Sequence, residues 1–471
     1  MGFVVFVNGI VILFTACLMG VDALLFHDTA EQFGEGFLLT GLVGVSLCLA
    51  ASRRATGLEQ RHTFLLTSSV WMTAALTGAL PMYLWGMTPA DAVFEAMSGI
   101  TTTGSTVMSG LEQTPRGILL WRAILQALGG VGFVVTGMAL LPILQVGGMQ
   151  LYQTESSERG EKQLRNAAAF AMATLVVYLG LMLLCGALYA LGGMSPFDAV
   201  THAMTTMSSG GYSNYDSSFG HFDSGYLQWV ATVFMLGAGL PFAWYIRAVM
   251  RGIWRSEQVL MMLRSLGVVI GLLTLWLVLA DHRPFAEALR LVAFNVVSVV
   301  TTTGYATTDY LTWGPVAVAA FFLLTAVGGC TGSTAGGAKA MRWVILARVI
   351  KTWIRRIRHP HGIFVVRYEG RAVSEEVLSG VMAFFVIYVV TVSVLAVALD
   401  FDGLDFSTAL SGALTAVANV GPGVGGIIGP AGNFATLSDE SKVMLAFGMF
   451  AGRLEMFTVF VLFLPRFWRA F

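Results

Sequence analysis

The chain has 471 residues, of which 56% are apolar and only 11% are charged, and its mean hydropathy is +0.75. A soluble domain carries about 25% charged residues, so this composition excludes an ordinary water-soluble protein and predicts a polytopic membrane protein. The formal net charge is zero, so the overall charge indicates no acidic or basic partner. The four cysteines, Cys17, Cys48, Cys185 and Cys330, lie far apart in apolar segments, which favours buried thiols over a disulfide framework or a metal site.

Ten apolar stretches have about the length of ~20 residues that crosses a bilayer. They cover about 3–26, 36–52, 62–86, 117–146, 165–192, 225–250, 258–282, 312–355, 376–402 and 438–468. The first stretch is long and lacks a small-residue cleavage site, so we expect a retained helix and not a signal peptide. The expected division is a leading pair of helices (1–61), repeat 1 (62–146), repeat 2 (165–250), repeat 3 (258–358), a cytoplasmic linker (359–375) and repeat 4 (376–471).

A short re-entrant segment separates the two long stretches of each repeat. The four segments are 91–105, 198–212, 287–305 and 406–422, and each passes from a short apolar helix into a polar turn with a glycine. Irregular backbone cannot face lipid, because each unpaired peptide group would cost several kcal/mol, so four such turns predict a shared cavity. Backbone carbonyls can replace the hydration shell of an alkali cation, and glycine adopts the positive φ that such a turn needs.

The repeat therefore predicts a cation pore. An intramembrane enzyme is disfavoured, because the sequence lacks HExxH, GxSxG and paired intramembrane aspartates. Four acidic residues in the short helices are predicted to be helix-start residues and not ion ligands: Asp91, Glu95, Asp198 and Glu287. His202 is predicted to have a structural role in packing or hydrogen bonding.

The charged loops indicate the orientation of the chain. One set of loops is rich in Lys and Arg, including the long connection 339–371, whereas the opposite set is acidic. By the positive-inside rule, the basic side and both termini are cytoplasmic, and all four re-entrant segments enter from the acidic outer side. This acidity favours either a cation-concentrating vestibule or ordinary loop polarity.

Five motifs carry a resemblance to a known family. SGITTTGSTV (98–107), GGVGFVVTGMALLPIL (129–144), GGMQLYQTES (147–156), GGCTGSTAGGAKAMRW (328–343) and GRLEMFTVFVLFLPRFW (452–468) resemble the TrkH branch of the Trk/Ktr/HKT superfamily of potassium transporters. The resemblance covers nearly the whole chain. It implies an all-α membrane fold with four pseudosymmetric helix–pore-loop–helix repeats around a central ion pore, two leading helices, a homodimer in the bacterial inner membrane, and a cytoplasmic nucleotide-binding partner ring of the TrkA type.

The resemblance also implies a potassium selectivity filter, with potassium as the permeant ligand and no cofactor on this chain. Its residues would be Thr101, Thr102, Thr103 and Gly104 in the first loop; Ser208, Ser209, Gly210 and Gly211 in the second; Thr301, Thr302, Thr303 and Gly304 in the third; and Ala418, Asn419, Val420 and Gly421 in the fourth. In the family, glycine at the last position of every loop accompanies potassium selectivity, and all four of these positions are glycine here.

A glycine-rich stretch interrupts the second long helix of repeat 3, because each interior glycine costs ~1 kcal/mol relative to alanine. The resemblance implies that this stretch is a gating loop beneath the filter. The gate candidates are Gly328, Gly329, Thr331, Gly332, Ser333, Thr334, Gly336, Gly337, Lys339 and Arg453. Arg453 lies in the last apolar span, where it would either raise a barrier to cations or form a structural ion pair, for instance with Glu455.

Two further questions stay open at this stage. Transport could be channel-like or coupled to protons or sodium, as in a symporter. The basic run 351–361 could contact anionic lipid or dock the TrkA-type ring, and residues 363–371 alternate like a short strand or hairpin.

Overall fold

The computed structural model describes residues 1–52, 60–139 and 163–469, and within these ranges it is almost entirely α-helical. The helices are α1 Gly2–Leu25, α2 Ala30–Ala51, α3 Gln60–Trp85, α4 Pro89–Ile100, α5 Arg116–Ala139, α6 Gln163–Leu191, α7 Pro196–Met207, α8 Gly225–Ala238, α9 Phe242–Arg251, α10 Glu257–Asp281, α11 Phe285–Val300, α12 Pro315–Thr325, α13 Ala340–Arg358, α14 Glu375–Phe401, α15 Phe406–Ala418, α16 Asp439–Arg453, α17 Phe457–Phe460 and α18 Pro465–Trp468. The predicted all-α fold is confirmed. The motif at 147–156 lies outside the described residues.

Four short helices, α4, α7, α11 and α15, are the predicted re-entrant helices. Each follows a long helix and is buried along most of its length. Three of them begin at a side-chain cap: Thr88, Ser195 and Asp405 accept hydrogen bonds from N–H groups of the first turn. Hydrogen bonds from Ser407 and then Thr408 lower the pKa of the exposed Asp405 carboxyl to about 2, so this cap stays ionised at neutral pH.

The second long helix of three repeats is broken. In repeat 2 the chain bends by 89° between α8 and α9, at the Gly239–Pro241 step, and in repeat 4 it bends by 107° after Arg453. In repeat 3 residues 326–339 separate α12 from α13. The sequence analysis anticipated only the break in repeat 3. The predicted spans 225–250 and 438–468 are each bent, because Pro241 cannot continue α8 and because Glu455 and Met456 have positive φ (61° and 54°).

Six helices of the described chain are long and apolar enough to cross a bilayer, and each of the two bent pairs adds one more candidate span. Their packed faces form the core, in which aromatic and aliphatic residues surround the re-entrant helices. The predicted hairpin after α13 is present as strands β1 Arg367–Tyr368 and β2 Arg371–Ala372, paired antiparallel. Tyr368 packs with Val344 and Val377, which fixes the hairpin against α13 and α14.

Two buried ion pairs lie inside this bundle. Arg122 of α5 contacts Glu95 of α4 at 2.8 Å, and Arg342 of α13 contacts Glu455 at 2.5 Å. All four side chains are almost completely buried. Glu95 was predicted to be a helix-start residue; instead it lies in the second turn of α4 and neutralises Arg122.

Replacing Arg122 by Met should strongly destabilise the protein, because it leaves the Glu95 carboxylate buried without its cation, at a cost of about 3–5 kcal/mol. The measurement is the temperature at which the detergent-solubilised protein loses its monodisperse size-exclusion peak. Arg283→Met is the control, since Arg283 pairs with Asp281 and Glu287 near the surface, where such pairs contribute about 0–1 kcal/mol. Equal midpoints for the two variants would contradict a structural role for the buried pair.

Candidate functional site

The four re-entrant helices end in turns with the same backbone. We call these turns, in chain order, turns 1 to 4; they are residues 101–104, 208–211, 301–304 and 418–421. In each turn the second residue is left-handed, with φ of 54° at Thr102, 55° at Ser209, 56° at Thr302 and 55° at Asn419. The last residue also has positive φ: 85° at Gly104, 74° at Gly211, 81° at Gly304 and 110° at Gly421. The first and third residues have negative φ, so the sign of φ alternates along every turn.

This alternation has a direct consequence for the carbonyl groups. In a right-handed helix all carbonyls point along the helix axis. Inverting φ at every second residue turns the peptide planes so that successive carbonyls can face one side of the chain instead. The cost of a left-handed threonine, serine or asparagine is about 1–2 kcal/mol. Four such residues at equivalent positions therefore indicate a geometry that the surrounding packing imposes on the turns.

The four turns close into a ring. A Cβ atom placed on any of the four terminal glycines would lie less than 3.0 Å from a carbonyl oxygen of the next turn. The pairs are Gly104 with Gly210, Gly211 with Thr303, Gly304 with Val420 and Gly421 with Thr103. Each contact leads from one turn to the next, and the fourth returns to the first. The glycines are therefore needed for close backbone approach as well as for positive φ.

Hydrogen bonds hold each turn to its own helix. The N–H of the third residue donates to the carbonyl five residues earlier, at 2.8–3.1 Å: Thr103 to Ser98, Gly210 to Thr205, Thr303 to Ser298 and Val420 to Thr415. These bonds satisfy carbonyls that a helix end would otherwise leave unpaired. Turns 1 and 3 gain a second restraint, because Thr101 and Thr103 pair through their hydroxyls at 2.8 Å, and Thr301 and Thr303 do so at 2.9 Å.

Side chains of the re-entrant helices also hold the chain that follows each turn. The residue nine positions before the terminal glycine is Glu95 in repeat 1, His202 in repeat 2 and Asn295 in repeat 3. Glu95 accepts from the N–H of Val107 at 3.0 Å, His202 Nε2 lies 3.1 Å from Ser213 Oγ, and Asn295 donates to Thr307 Oγ1 at 2.8 Å. His202 thus has the hydrogen-bonding role that the sequence analysis predicted.

Repeat 4 has no polar side chain at this position. Its equivalent residue is Gly412, and the Ile428 side chain lies 3.1 Å from where a Cβ would be. Apolar packing replaces the polar contact. The four repeats thus share backbone geometry at the turns but differ in the side chains that support it.

The loop between α12 and α13, residues 326–339, lies directly beneath the ring, and we call it the central loop. The Gly336 N–H donates to Thr302 Oγ1 at 2.7 Å, and Thr334 Oγ1 lies 2.8 Å from Ser209 Oγ. A Cβ on Gly336 would lie 2.6 Å from the carbonyl oxygen of Ala418. The central loop therefore contacts turns 2, 3 and 4, and two of these contacts are to the left-handed second residues.

The central loop is anchored to neighbouring helices as well. The Thr334 hydroxyl lies 3.1 Å from the Met207 carbonyl and 3.2 Å from the Ala238 carbonyl, and the Gly332 carbonyl accepts from the N–H of Phe242 at 2.9 Å. Left-handed backbone at Gly328, Gly332 and Gly337 lets the chain fold back on itself. These contacts explain why repeat 3 cannot form one continuous second helix.

The other predicted gate residues have separate places. Thr331 and Ser333 make contacts away from the ring: the Thr331 N–H donates to Gln258, and Ser333 Oγ donates to the Cys330 carbonyl at 2.7 Å. Gly329 accepts from the N–H of Ala340, where α13 begins. These residues lie in one loop, but they differ in whether they contact the turns, and their role in gating stays a prediction.

Arg453 lies beside the central loop at the end of α16 and is 2% exposed. Its guanidinium donates to the carbonyl of Thr334 at 3.0 Å and to that of Gly129 at 3.4 Å. Gly129 belongs to α5 and packs against Ile100 and Thr102, so Arg453 lies beneath turn 1 and bridges α5 to the central loop. The predicted alternative pairing partner, Glu455, contacts Arg342 at 2.5 Å.

Cations outnumber anions in this region. Lys339, whose ammonium donates to the Ala335 carbonyl, lines a small cavity with Arg453, Glu455, Tyr388 and Asn419. Arg342 contacts the same Glu455. Three basic side chains thus lie in a buried region with the Glu455 carboxylate, and charges this far from water are weakly screened.

Two functional residues of α5 were missed by the sequence analysis. Arg122 donates to Glu95 and to the Ser213 carbonyl, and Gln126 contacts turn 2. Both are polar residues inside the apolar stretch LLWRAILQALGG, and this burial in a predicted span was the available signal. Among the described residues, no group of three or more His, Cys, Asp or Glu side chains forms a metal site.

Comparison with known proteins agrees with this architecture. The TrkH family, described as "Cation transport protein", matches residues 29–470. The chain is 46% identical over 447 residues to the Trk system potassium uptake protein TrkI of Halomonas elongata, covering 93% of this chain and 90% of that protein. It is 34% identical over 478 residues to the Trk system potassium uptake protein TrkH of Escherichia coli K12, covering 98% and 97%.

A solved structure has the same fold over nearly its entire length. The crystal structure of the potassium transporter TrkH from Vibrio parahaemolyticus superposes with a TM-score of 0.90 at 29% sequence identity, and the match covers 99% of each chain. The family match spans far more than half of the sequence, and two relatives exceed 30% identity over more than nine-tenths of it. The chain is therefore a multi-pass membrane transporter, not an enzyme, and belongs to the TrkH family of cation transport proteins.

Proposed function

We propose that this protein takes up potassium through a channel-like path in which turns 1 to 4 are the selectivity filter. The observation that carries the proposal is the closed ring of four glycine turns with alternating φ. Carbonyl oxygens at the contacts between turns are suited to replacing the hydration shell of an alkali cation. The relatives named as potassium uptake proteins support potassium as the permeant ion.

The central loop and Arg453 are the proposed gate. The loop contacts turns 2, 3 and 4, and Arg453 lies next to turn 1. A cation leaving the ring would meet both the loop and an excess of buried positive charge. Opening then requires that the loop and the Arg453 guanidinium move together, because the guanidinium donates directly to the Thr334 carbonyl.

The remaining assignments rest on the family resemblance and on loop charge. We propose a homodimer in the bacterial inner membrane with both termini in the cytoplasm, regulated by a TrkA-like nucleotide-binding ring. Exposed basic residues near the end of α13, among them Arg355, Arg356 and Arg358, suit docking of such a ring. An acidic opposite end, which includes the ionised Asp405, suits cation entry.

A proton- or sodium-coupled potassium symporter is the alternative. The broken helices of repeats 2, 3 and 4 are consistent with a symporter, since secondary transporters bind substrate and coupling ions at breaks of this kind. However, the central loop at the break of repeat 3 contacts turns 2 and 3, which supports its proposed role as an obstacle over a role as a second cation site.

Ion flux in liposomes that contain only this chain tests the two mechanisms. Potassium and rubidium flux should exceed sodium and lithium flux, and it should occur without a pH or sodium gradient. Selective flux that requires an imposed proton or sodium gradient would establish the coupled mechanism instead. If the protein is silent in all conditions, a purified TrkA-type ring is added; continued absence of selective potassium flux would refute the proposed function.

Gly211→Ser should abolish or strongly reduce potassium-over-sodium selectivity, because its Cβ would collide with the Thr303 carbonyl oxygen and displace it. The same result is expected for Gly104→Ser, whose Cβ would collide with the Gly210 carbonyl. Selectivity is measured as the ratio of potassium to sodium flux in liposomes. Gly193→Ser is the control, since Gly193 also has positive φ but no atom lies within 4 Å of its Cβ position. A control variant that loses selectivity equally would show that backbone strain alone causes the effect.

Arg453→Ala should raise potassium flux in the absence of the cytoplasmic ring, since it removes one positive charge and the contact to the Thr334 carbonyl. An increase of about tenfold would correspond to roughly 1.4 kcal/mol of barrier. Arg453→Lys keeps the charge and should remain largely closed. If folded Arg453→Ala protein conducts no more than the wild type, Arg453 is not part of the barrier.

A further inference from the structure

Gln126 of α5 makes two hydrogen bonds to turn 2 and is fully buried. Its Nε2 donates to the carbonyl oxygen of Gly210 at 2.7 Å, and its Oε1 accepts from the N–H of Tyr212 at 3.1 Å. A single carboxamide therefore holds the chain on both sides of Gly211. The fit is close, because a Cβ on Gly210 would lie less than 3.0 Å from Gln126 Cδ.

The carbonyl that Gln126 contacts belongs to the ring. The Gly210 oxygen faces Gly104 of the neighbouring turn, as the equivalent oxygens of Thr103, Thr303 and Val420 face theirs. In the part of the chain that the structure describes, a side chain donates to the Gly210 oxygen and none donates to those three. Turn 2 thus differs from the other turns in the hydrogen bond that its Gly210 carbonyl oxygen accepts from a side chain.

The sequence of turn 2 leaves room for this support. In turns 1 and 3 the first and third residues are threonines, whose paired hydroxyls restrain the backbone. Turn 2 has Ser208 and Gly210 at these places, so it cannot form the pair. It also has two successive glycines, which have the greatest conformational freedom to lose. The Gln126 carboxamide occupies the volume in which a threonine side chain at position 210 would lie.

We propose that Gln126 is a positioning residue that fixes the direction of the Gly210 carbonyl and thereby sets the cation preference of turn 2. This inference rests on the proposed function of the four turns as a filter. One lone pair of the Gly210 oxygen binds the Gln126 amide, and the other stays available to the ion. The restraint keeps the carbonyl from turning inward to coordinate a smaller cation such as sodium.

Gln126→Met tests the proposal, because it keeps the length of the side chain and removes both hydrogen bonds. The loss of a buried hydrogen bond changes an equilibrium by roughly threefold to tenfold. We expect the KM for potassium to rise by such a factor and the potassium-to-sodium flux ratio to fall, in monodisperse protein reconstituted into liposomes. Gln228→Met is the matched control: Gln228 is also buried and donates to the Phe222 carbonyl at 3.1 Å, away from the turns.

Gln126→Glu separates the two hydrogen bonds. It keeps an acceptor for the N–H of Tyr212 but has no amide to donate to the Gly210 carbonyl. We expect it to lose selectivity as Gln126→Met does. Wild-type selectivity in folded Gln126→Glu would show that the Tyr212 contact matters and would overturn the role given to the Gly210 carbonyl.

A swap of side chains gives a second, independent arm. Gly210→Thr alone should impair transport, because the threonine collides with Gln126. The double variant Gln126→Ala/Gly210→Thr removes the collision and creates the threonine of turns 1 and 3, so it should recover part of the potassium preference. A double variant no better than the worse single variant would overturn the idea that the two side chains substitute for each other.

Unselective flux through the wild-type protein would refute the proposed function itself. Selective flux through the wild type, with unchanged selectivity in the Gln126→Met and Gln126→Glu variants, would refute this inference alone.

Discussion

The rest of this structure depends on how the backbone N–H and C=O groups of four irregular turns find hydrogen-bond partners inside the membrane. A peptide group in lipid has no water to bond to, so an unpaired N–H or C=O costs several kcal/mol. The turns meet this constraint in two ways. The N–H group of each third residue bonds back to its re-entrant helix, and the carbonyl oxygen of the same residue packs against the terminal glycine of the neighbouring turn, so that the contacts close a ring. A ring of carbonyls is stable there only if something with positive charge or a hydrogen can bind to it, which connects the fold to cation transport.

The four repeats have the same backbone conformation at their turns, but the side-chain contacts that support the turns differ. The dihedral angles of the second residues agree within two degrees, between 54° and 56°. The supporting contacts differ in every repeat: Glu95 with Arg122 in the first, His202 and Gln126 in the second, Asn295 in the third, and apolar packing around Gly412 in the fourth. The backbone of the ring is thus pseudosymmetric, as equivalent ligands for a cation would require. The side chains packed around the ring are not.

The underside of the ring is the least symmetric part of the molecule. Second helices are broken in three repeats, and the break in repeat 3 places the central loop under turns 2, 3 and 4. Arg453 from repeat 4 lies below turn 1. Lys339, Arg342 and Arg453 are buried close to the Glu455 carboxylate. The proposed gate therefore consists of one loop and a few charges, which small movements can rearrange.

The sequence by itself determined the class of the protein and the positions of the four turns and of the glycine-rich loop. Apolar stretches of membrane length, repeated four times around short segments with glycine turns, were sufficient to predict a cation pore in the membrane. The resemblance of contiguous motifs to the TrkH branch then named the individual residues of the turns and of the central loop. These features are local, since they follow from hydropathy, from the conformational freedom of glycine and from motifs that are contiguous in the chain.

Only the tertiary structure decided how these parts meet. The sequence did not reveal that Gly104 faces Gly210, that Gln126 holds the turn of another repeat, or that Glu95 neutralises Arg122, because these contacts join residues that are far apart in the chain. It also missed the bends after Ala238 and Arg453, since hydropathy reports whether a segment suits lipid and not whether its helix is continuous. Polar residues inside an apolar span indicated buried contacts, but only the packing of the helices determined which residues are their partners.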